Sequence, residues 1–343
     1  MTIPEYCYHQ LALRYRGNYH RLSKLLRAHG SWFAAAQAEG ISVGAPIGDP
    51  ALERYSIRLL LANDPDFPPL LREIPWAPHG IYLRGAPITE EPKVAIVGTR
   101  KATPAGITTS EFLARDLARA SITIVSGLAF GVDAAAHHAA ISAGGKAIAV
   151  LASGLDRITP VSNRRLGEEI LTCGGTLVSE YPPGTETLPA FFIARNRLVS
   201  GLSRGVIVIE APTRSGTLAT ARFATDQNRE LLVVPGPINQ GNYNGSHALI
   251  RSGATLITNA REVLEALQLV PPETDMPRHT QVLPFLDSVE QRIVELLSAE
   301  ASTLTADTIA ERTLLGVSVI NEALGSLVIQ DLITESDLGY AIR

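Results

Sequence analysis

Glycine, a hydroxyl residue and two basic residues stand directly after a short apolar run, in the order Gly98-Thr99-Arg100-Lys101. The run, VAIV, is typical of a buried strand, and Thr103 before Pro104 is typical of the start of a helix. Backbone N–H groups and a helix N-terminus would then meet beside an arginine, a combination that binds phosphate. A glycine turn with a solvated arginine would have the same sequence, so this loop alone leaves phosphate binding open.

A second glycine loop, SGLAFG, ends the next apolar run and contains Ser126, Gly127 and Phe130. Glycine permits close approach of a ligand to the backbone, and an exposed Phe130 would stack on a nucleic-acid base. Packing of Phe130 against a neighbouring loop is the open alternative. Asp133 is interpreted as a cap of the following helix, with His137 bonded to it across one turn.

Further loops carry arginine, amide and aromatic side chains, the mixture that a single-strand groove needs for phosphates and bases. The run FFIARNRLVSGL also has helical spacing that predicts burial of Ile193 and Leu198, so only part of it can face a ligand. Residues 214–217 predict a second anion-binding helix start. The candidate residues of these loops are Asn163, Arg164, Phe192, Arg195, Asn196, Arg197, Arg214, Ser215, Gly216, Thr217, Asn244 and Arg251.

The strand pattern predicts that these loops lie together. From Val94 onward, seven short apolar runs alternate with helix-length segments. Continuous apolar runs indicate parallel strands covered on both faces, so we expect an α/β fold, a Rossmann-like, doubly wound, mostly parallel sheet. Ligands of such sheets bind beyond the carboxyl ends of the strands, which is where the candidate loops begin.

The rest of the chain is expected to flank this sheet. A third helix near the C-terminus contains Asn321 and Glu322 but no Lys or Arg, so we expect it to contact protein rather than DNA. The predicted domains are a small helical domain of SAM or helix-hairpin type (1–62), a proline-rich connector that packs on the next domain (63–92), the Rossmann-like DNA-binding domain (93–268), a linker (269–284) and a winged helix (285–343).

Charge is distributed unevenly along the 343 residues, whose formal net charge is −4. Residues 93–258 contain 16 Lys and Arg against 11 Asp and Glu, whereas residues 259–343 contain 5 against 14. Anion binding is therefore expected in the middle of the chain. The two cysteines have no metal-ligand or disulfide spacing, and no apolar run reaches the ~18 residues of a membrane span. A cytoplasmic protein is expected.

The motifs VGTR, SGLAFGVDAAAH, VLASGLDRITPVSNRRL, SEYPPGT, ARNRLVSGLSRGVIVIEA, RSGTLATARFA, VPGPI and NGSHALIRSGATLIT resemble, in this order, those of the DNA processing protein A family, DprA or Smf. The resemblance covers residues 63–259. It implies a protein that binds single-stranded DNA, protects incoming strands in natural transformation and loads the RecA recombinase. It also implies a homodimer formed through the α/β domain.

The resemblance also assigns residues. The family's glycine-(serine or threonine)-arginine element corresponds to Gly98, Thr99 and Arg100, its main phosphate-binding point, and its Arg-Asn-Arg element corresponds to residues 195–197. Two departures stand out. Where the family commonly has Phe-Pro-Arg-Arg-Asn, this chain has Phe-Ile-Ala-Arg-Asn at 192–196, with one positive charge fewer, and where many members have Ala-Arg-Gly it has Ala-Phe-Gly at 129–131.

An enzymatic alternative comes from the wider fold group, which includes nucleotide-binding proteins and nucleoside-monophosphate phosphoribohydrolases with a glycine-glycine-x-glycine-threonine-x-x-glutamate loop. Thr220 stands where the catalytic glutamate is needed, and a threonine does not act as a carboxylate base. A dinucleotide-dependent oxidoreductase is disfavoured because VGTRKATPAG lacks the three-glycine spacing. We therefore expect no catalytic residue, no cofactor and no metal.

Overall fold

The computed structural model describes residues 1–43, 48–269, 288–299, 303–329, 332–336 and 339–342. The chain divides into two compact units, Met1–Val270 and Pro271–Arg343. The first unit contains the sheet and all of the candidate ligand-binding loops.

A nine-stranded sheet forms the centre of the first unit. The strands are β1 (Ile57–Leu61), β2 (Gly80–Gly85), β3 (Lys93–Val97), β4 (Thr123–Ser126), β5 (Ala147–Val150), β6 (Thr176–Ser179), β7 (Gly205–Val208), β8 (Glu230–Val233) and β9 (Thr255–Leu256). Their order across the sheet is β1-β2-β6-β5-β4-β3-β7-β8-β9. The seven strands from β3 to β9 are parallel, at the seven predicted apolar runs. The Rossmann-like, mostly parallel sheet is confirmed.

The first two strands extend the sheet beyond the predicted α/β segment. β1 falls in the part expected to be helical and β2 falls in the expected connector. The apolar residues Ile81, Tyr82 and Leu83 are buried in β2, which pairs antiparallel with both β1 and β6. Unlike the proline-rich stretch before it, this run has backbone N–H groups that can form the hydrogen bonds of a sheet. The open edge of β6 supplies the strand with which it pairs.

The helices of this unit are α1 (Ile3–Tyr15), α2 (Tyr19–His29), α3 (Trp32–Ala38), α4 (Pro50–Arg54), α5 (Pro69–Arg72), α6 (Pro104–Arg119), α7 (Val132–Ser142), α8 (Arg164–Thr172), α9 (Pro189–Gly201), α10 (Gly216–Asp226), α11 (Asn244–Arg251) and α12 (Ala260–Ala266). Helices cover both faces of the sheet because successive strand residues point to opposite sides. Val94 and Ile96 of β3 face one side with α6, α7 and α12, while Ala95 and Val97 face the other with α9 and α10. α8 and the N-terminal helices cover the first side further along the sheet.

The second unit has its own core, which contains Ile293, Ile309, Ile320 and Leu324. It consists of α13 (Ser288–Ala299), α14 (Ala306–Thr313), α15 (Val317–Ile329), β10 (Ile333–Ser336) and β11 (Gly339–Ile342). The two strands form an antiparallel hairpin after the third helix, which is the order expected of a winged helix.

Within the described residues, no helix is long and apolar enough to span a membrane.

Candidate nucleic-acid interface

The carboxyl ends of the parallel strands bring the predicted loops to one edge of the sheet, since each loop directly follows a strand or begins the next helix. Arg251 is the exception. It ends α11, which leads away from this edge toward the start of β9, and a rise of about 1.5 Å per residue places it roughly 10 Å from Asn244 at the start of the helix. Arg251 therefore lies at the end of α11 that points away from the edge.

The Gly98–Lys101 loop is tightly packed beneath its exposed basic side chains. The Thr99 N–H donates to the Glu210 carbonyl oxygen over 2.9 Å. A side chain at Gly98 would lie 2.4 Å from Val132, and one at Gly131, whose φ is +74°, would lie 2.4 Å from the Thr99 carbonyl oxygen. Glycine is required at Gly98 because the Val132 side chain fills the space beside it, and at Gly131 because the two loops touch there through their backbones. The loop thus holds the exposed Arg100 and Lys101 at a fixed place on the edge.

Arg100 lies over an aromatic ring that belongs to a helix elsewhere in the chain. Its guanidinium carbon is 5.0 Å from the centre of the half-buried Phe192 ring, in the first turn of α9. A cation–π contact of this kind orients both side chains. The structure therefore brings together a guanidinium group and a ring, the two group types that bind phosphates and bases in single strands.

The N-terminus of α6 already holds an anion from the protein itself. Thr103 caps the helix as predicted, by accepting from the Gly106 N–H over 3.0 Å. The buried Glu210 carboxylate accepts from the Thr103 N–H over 3.1 Å, from the Thr103 hydroxyl, and from the Asn242 amide over 2.9 Å. The Thr103 N–H and hydroxyl at this helix start are therefore paired with Glu210, and phosphate binding by the Gly98–Lys101 loop stays a prediction.

Arg195 is buried beneath the second glycine loop and is only 4% exposed. Its guanidinium group donates to the Gly127 carbonyl oxygen over 2.7 Å and to the Val150 carbonyl oxygen. A side chain on Gly127 would lie 2.3 Å from this guanidinium group, so glycine makes room for it. Burial lowers the pKa of Arg195 to about 10, and the nearby Asp133 opposes this shift. Arg195 thus supports the loop from below.

Arg197 is also buried and points to another part of the unit. It donates two hydrogen bonds of 2.6 and 2.7 Å to the buried Glu180 carboxylate. Its guanidinium carbon lies 5.5 Å from the ring centre of Tyr19 in α2. Burial raises the pKa of Glu180, and the charge of Arg197 opposes that rise. Arg197 joins the sheet to the N-terminal helices, and its side chain is not part of the exposed edge.

The SGLAFG loop exposes Phe130 and buries its polar residues. The Ser126 hydroxyl donates to the Ile96 carbonyl oxygen over 2.7 Å. Asn163 donates to the carbonyl oxygens of Leu128 and Ala129 over 2.9 and 3.2 Å, which fixes the loop. Phe130 is 47% exposed at the tip. The loop's exposed ring is available to a ligand, whereas Ser126 is not.

Asp133 and His137 do not form the predicted pair across one helical turn. The buried Asp133 carboxylate accepts from the N–H groups of Gly127 and Ala129 over 3.1 and 3.3 Å, so it holds the preceding loop. No hydrogen bond joins it to His137 among the described residues. Burial lowers the pKa of His137 to about 3, which keeps its ring neutral at physiological pH.

The start of α10 is capped by Ser215, whose hydroxyl accepts from the Thr217 N–H over 3.1 Å. Gly216 is exposed, and Asn196 of α9 donates to its carbonyl oxygen over 3.3 Å. Arg214, directly before Ser215, is exposed, while Thr217 is buried. The polar groups open to a ligand here are thus the backbone at Gly216 and the Arg214 side chain. Asn244, at the start of α11, is also exposed.

Sequence reasoning missed two features of this edge. Leu198 is buried as predicted, but Ile193 is 55% exposed because the buried side of α9 follows Arg195 and Leu198. Exposed apolar side chains also occur in the segments that follow β4, β5, β6 and β8, and their position after predicted strands was visible in the sequence. They are Phe130, Val161, Leu188, Ile193 and Ile238. Glu210 was also missed as a built-in anion, although its position at a strand end was visible.

Four predicted basic residues are exposed at the carboxyl edge, namely Arg100, Lys101, Arg164 and Arg214. Together with the exposed apolar side chains they define a Rossmann-like α/β protein whose strand-end surface is basic and apolar.

Comparison with known proteins then shows the family. The model of the DNA recombination-mediator protein A family matches residues 58–268, and the chain belongs to that family. Protein Smf of Escherichia coli is 38% identical over 267 residues, which cover 76% of this chain and 71% of Smf. The DNA processing protein DprA of Streptococcus pneumoniae is 42% identical over 202 residues, which cover 59% of this chain and 71% of that protein.

Solved structures agree with this assignment. The X-ray structure of DNA processing protein A from Streptococcus pneumoniae superposes with a TM-score of 0.64 at 34% identity, over 76% of this chain and 97% of that chain. The structure of DNA processing protein A from Helicobacter pylori, described for its single-stranded DNA binding mode, superposes with a TM-score of 0.56 at 32% identity, over 62% of this chain and 96% of that chain.

Proposed function

We propose that this protein binds single-stranded DNA along the carboxyl edge of its sheet, without cutting it, and acts in DNA processing during natural transformation and recombination. The contact between Arg100 and Phe192 carries the proposal, because it places a phosphate-binding group beside a base-stacking group. The exposed Phe130 and Arg164 repeat this combination in the next loops. Family membership and the single-stranded DNA binding described for the Helicobacter pylori relative support the same ligand.

The carboxylates near the carboxyl edge support binding without catalysis, because they are buried and paired within the protein. Glu210 is fully buried and is held by Thr103 and Asn242, so it is not free to act on a ligand. Asp133 is buried and bound by two backbone N–H groups. Thr220, at the position of the phosphoribohydrolase glutamate, is a buried hydroxyl residue. Incubation with purine and pyrimidine nucleoside monophosphates should release no free base above background, and release would contradict this part of the proposal.

The central experiment compares single- and double-stranded oligonucleotides of equal sequence at two salt concentrations. We expect tighter binding of the single strand, and affinity that falls with salt by about 0.7 log units per phosphate contact per log unit of salt. Equal affinity for both forms, or affinity independent of salt, would contradict the proposed function.

Four further properties complete the proposal and rest on family membership. The protein protects incoming strands, loads the RecA recombinase, assembles as a homodimer through the α/β unit and acts in the cytoplasm. We also propose that α15, which contains no Lys or Arg, contacts protein rather than DNA. Sedimentation of the full chain tests the dimer. The rate of recombinase filament assembly on single strands, with and without this protein, tests the loading.

A further inference from the structure

A groove of about 680 Å³ opens beside the proposed DNA site, on the face of the sheet that carries α8. Residues 156–159, Val161 and residues 184–187 form its walls at the carboxyl edge, where Arg164 belongs both to the groove and to the predicted site. The far end reaches Arg84, which is paired in register with Leu177 near the start of β6, and Tyr55, which precedes β1. The groove therefore leads from the carboxyl edge down between α8 and the N-terminal region.

An aromatic ring with two flanking arginines lies at the far end. The guanidinium carbons of Arg54 and Arg84 are 5.6 and 5.9 Å from the centre of the Tyr55 ring. This is a second combination of a ring with guanidinium groups, separate from Arg100 and Phe192, and the groove that leads to it reaches the carboxyl edge at Arg164. Rings and arginines of this kind bind successive nucleotides of single strands.

Most acidic side chains of the groove already form hydrogen bonds or ion pairs with other residues of the protein. Asp156 accepts from the Gly184 N–H over 2.8 Å, and Glu168 pairs with Arg84 over 3.1 Å. Arg157 and Arg164 are exposed and form no ion pair within the described part of the chain, while Glu186 is an exposed carboxylate at the rim. These two guanidinium groups thus stand along the carboxyl-edge half of the groove, where a phosphodiester backbone would enter.

We propose that this groove binds further nucleotides of the same DNA strand, with phosphates at Arg157 and Arg164 and a base on Tyr55. The inference rests on the proposed function, since the strand must first be held at the carboxyl edge. It adds a specific consequence: affinity should increase once an oligonucleotide is long enough to reach from the edge into the groove.

The test uses the full chain and a ladder of oligothymidylates on the order of 4 to 16 nucleotides long. Arg157→Ala and Tyr55→Leu are the variants, because Arg157 is exposed and leucine retains the apolar packing of Tyr55. Arg119→Ala, an exposed arginine at the C-terminal end of α6, is the matched control. Oligonucleotides of each length that carry 5-iodouracil at single positions, irradiated and followed by mass spectrometry, report whether a base touches Tyr55.

We expect both variants to bind the short oligonucleotides as the wild type does. Tyr55→Leu should bind the long ones about fivefold to a hundredfold more weakly. Arg157→Ala should lower the salt dependence for long oligonucleotides by about 0.7 log units. Long oligonucleotides alone should crosslink to Tyr55, and Tyr55→Phe should bind the long ones almost as tightly as the wild type because the ring is retained.

If both variants bound oligonucleotides of every length with wild-type affinity, the proposal that the groove binds DNA would be overturned and the proposed function would stay intact. Equal weakening at all lengths would also overturn it, because the residues would then act on the edge site or on the fold. Failure of the wild type to bind any single strand would refute the proposed function itself, and the groove with it.

Discussion

The guanidinium carbon of Arg100 lies 5.0 Å from the centre of the Phe192 ring, although Arg100 belongs to the loop after β3 and Phe192 to the helix α9, which follows β6. An exposed cation–π contact contributes only about 0.5–1 kcal/mol, so its main effect is geometric. It keeps the guanidinium group over the ring at the carboxyl edge. A DNA strand bound there would meet, at the same point, a guanidinium group that binds its phosphate and a ring that stacks on its base.

Arg100→Ala should weaken binding of single-stranded DNA and lower its salt dependence by about 0.7 log units for each phosphate that Arg100 neutralises. Arg100→Lys should keep most of the salt dependence but lose affinity, since lysine does not form the bidentate pair. Titration of a labelled oligonucleotide at several salt concentrations measures both, with Arg119→Ala as the control. An unchanged salt slope in Arg100→Ala would remove this residue from the site.

Phe192→Ala should cost roughly 1 to 3 kcal/mol of binding free energy if a base stacks on the ring. Phe112→Ala is the matched control, because Phe112 is an exposed phenylalanine on α6, away from the edge. Affinity and thermal unfolding are measured on the same samples. A fall in the melting temperature with unaltered DNA affinity would show that Phe192 serves the fold and not the ligand.

Arg197→Ala should destabilise the fold by about 3–5 kcal/mol, because it leaves the buried Glu180 carboxylate without its partner. The DNA affinity of the folded protein should stay unchanged. Arg222→Ala removes an exposed i,i+4 pair and should change stability by less than about 1 kcal/mol. Urea unfolding measures these effects. Weaker DNA binding without loss of stability in Arg197→Ala would place this side chain at the ligand.

Arg195→Ala should make stability depend more strongly on pH through Asp133. Burial raises the pKa of this carboxyl, and the charge of Arg195 opposes the rise. An acid whose pKa is higher in the folded state stabilises the fold below its unfolded pKa of ~3.9, and this contribution is lost as the pH rises through the folded value. Without Arg195 the folded pKa rises further, so the loss extends to higher pH.

The measurement is urea unfolding of the wild type and Arg195→Ala across the range between about pH 4 and pH 8. The double variant Arg195→Ala with Asp133→Asn has no carboxyl to titrate at this position and should lose the added slope. A slope that persists in the double variant would assign the pH dependence to another group.

The positions of the seven parallel strands and the start of α6 could be predicted from the sequence, because both depend on local patterns. Apolar runs of strand length form buried strands, and a threonine followed by a proline caps and begins a helix. Parallel strands also end at one edge, so the location of the candidate surface followed from the same pattern. The family could be inferred because its motifs occur in order along the chain.

The side of each element on which a side chain lies was decided by the tertiary structure. Arg195 and Arg197 have the residue type of phosphate ligands, but both are buried because Gly127 and Glu180, which are distant in sequence, lie beneath α9 and bind them. Ile193 is exposed for the same reason. Glu210 fills the α6 helix start because β7 lies next to β3 in the sheet. The sequence determined which groups stand at the strand ends, and packing across the sheet determined which of them remain open to a ligand.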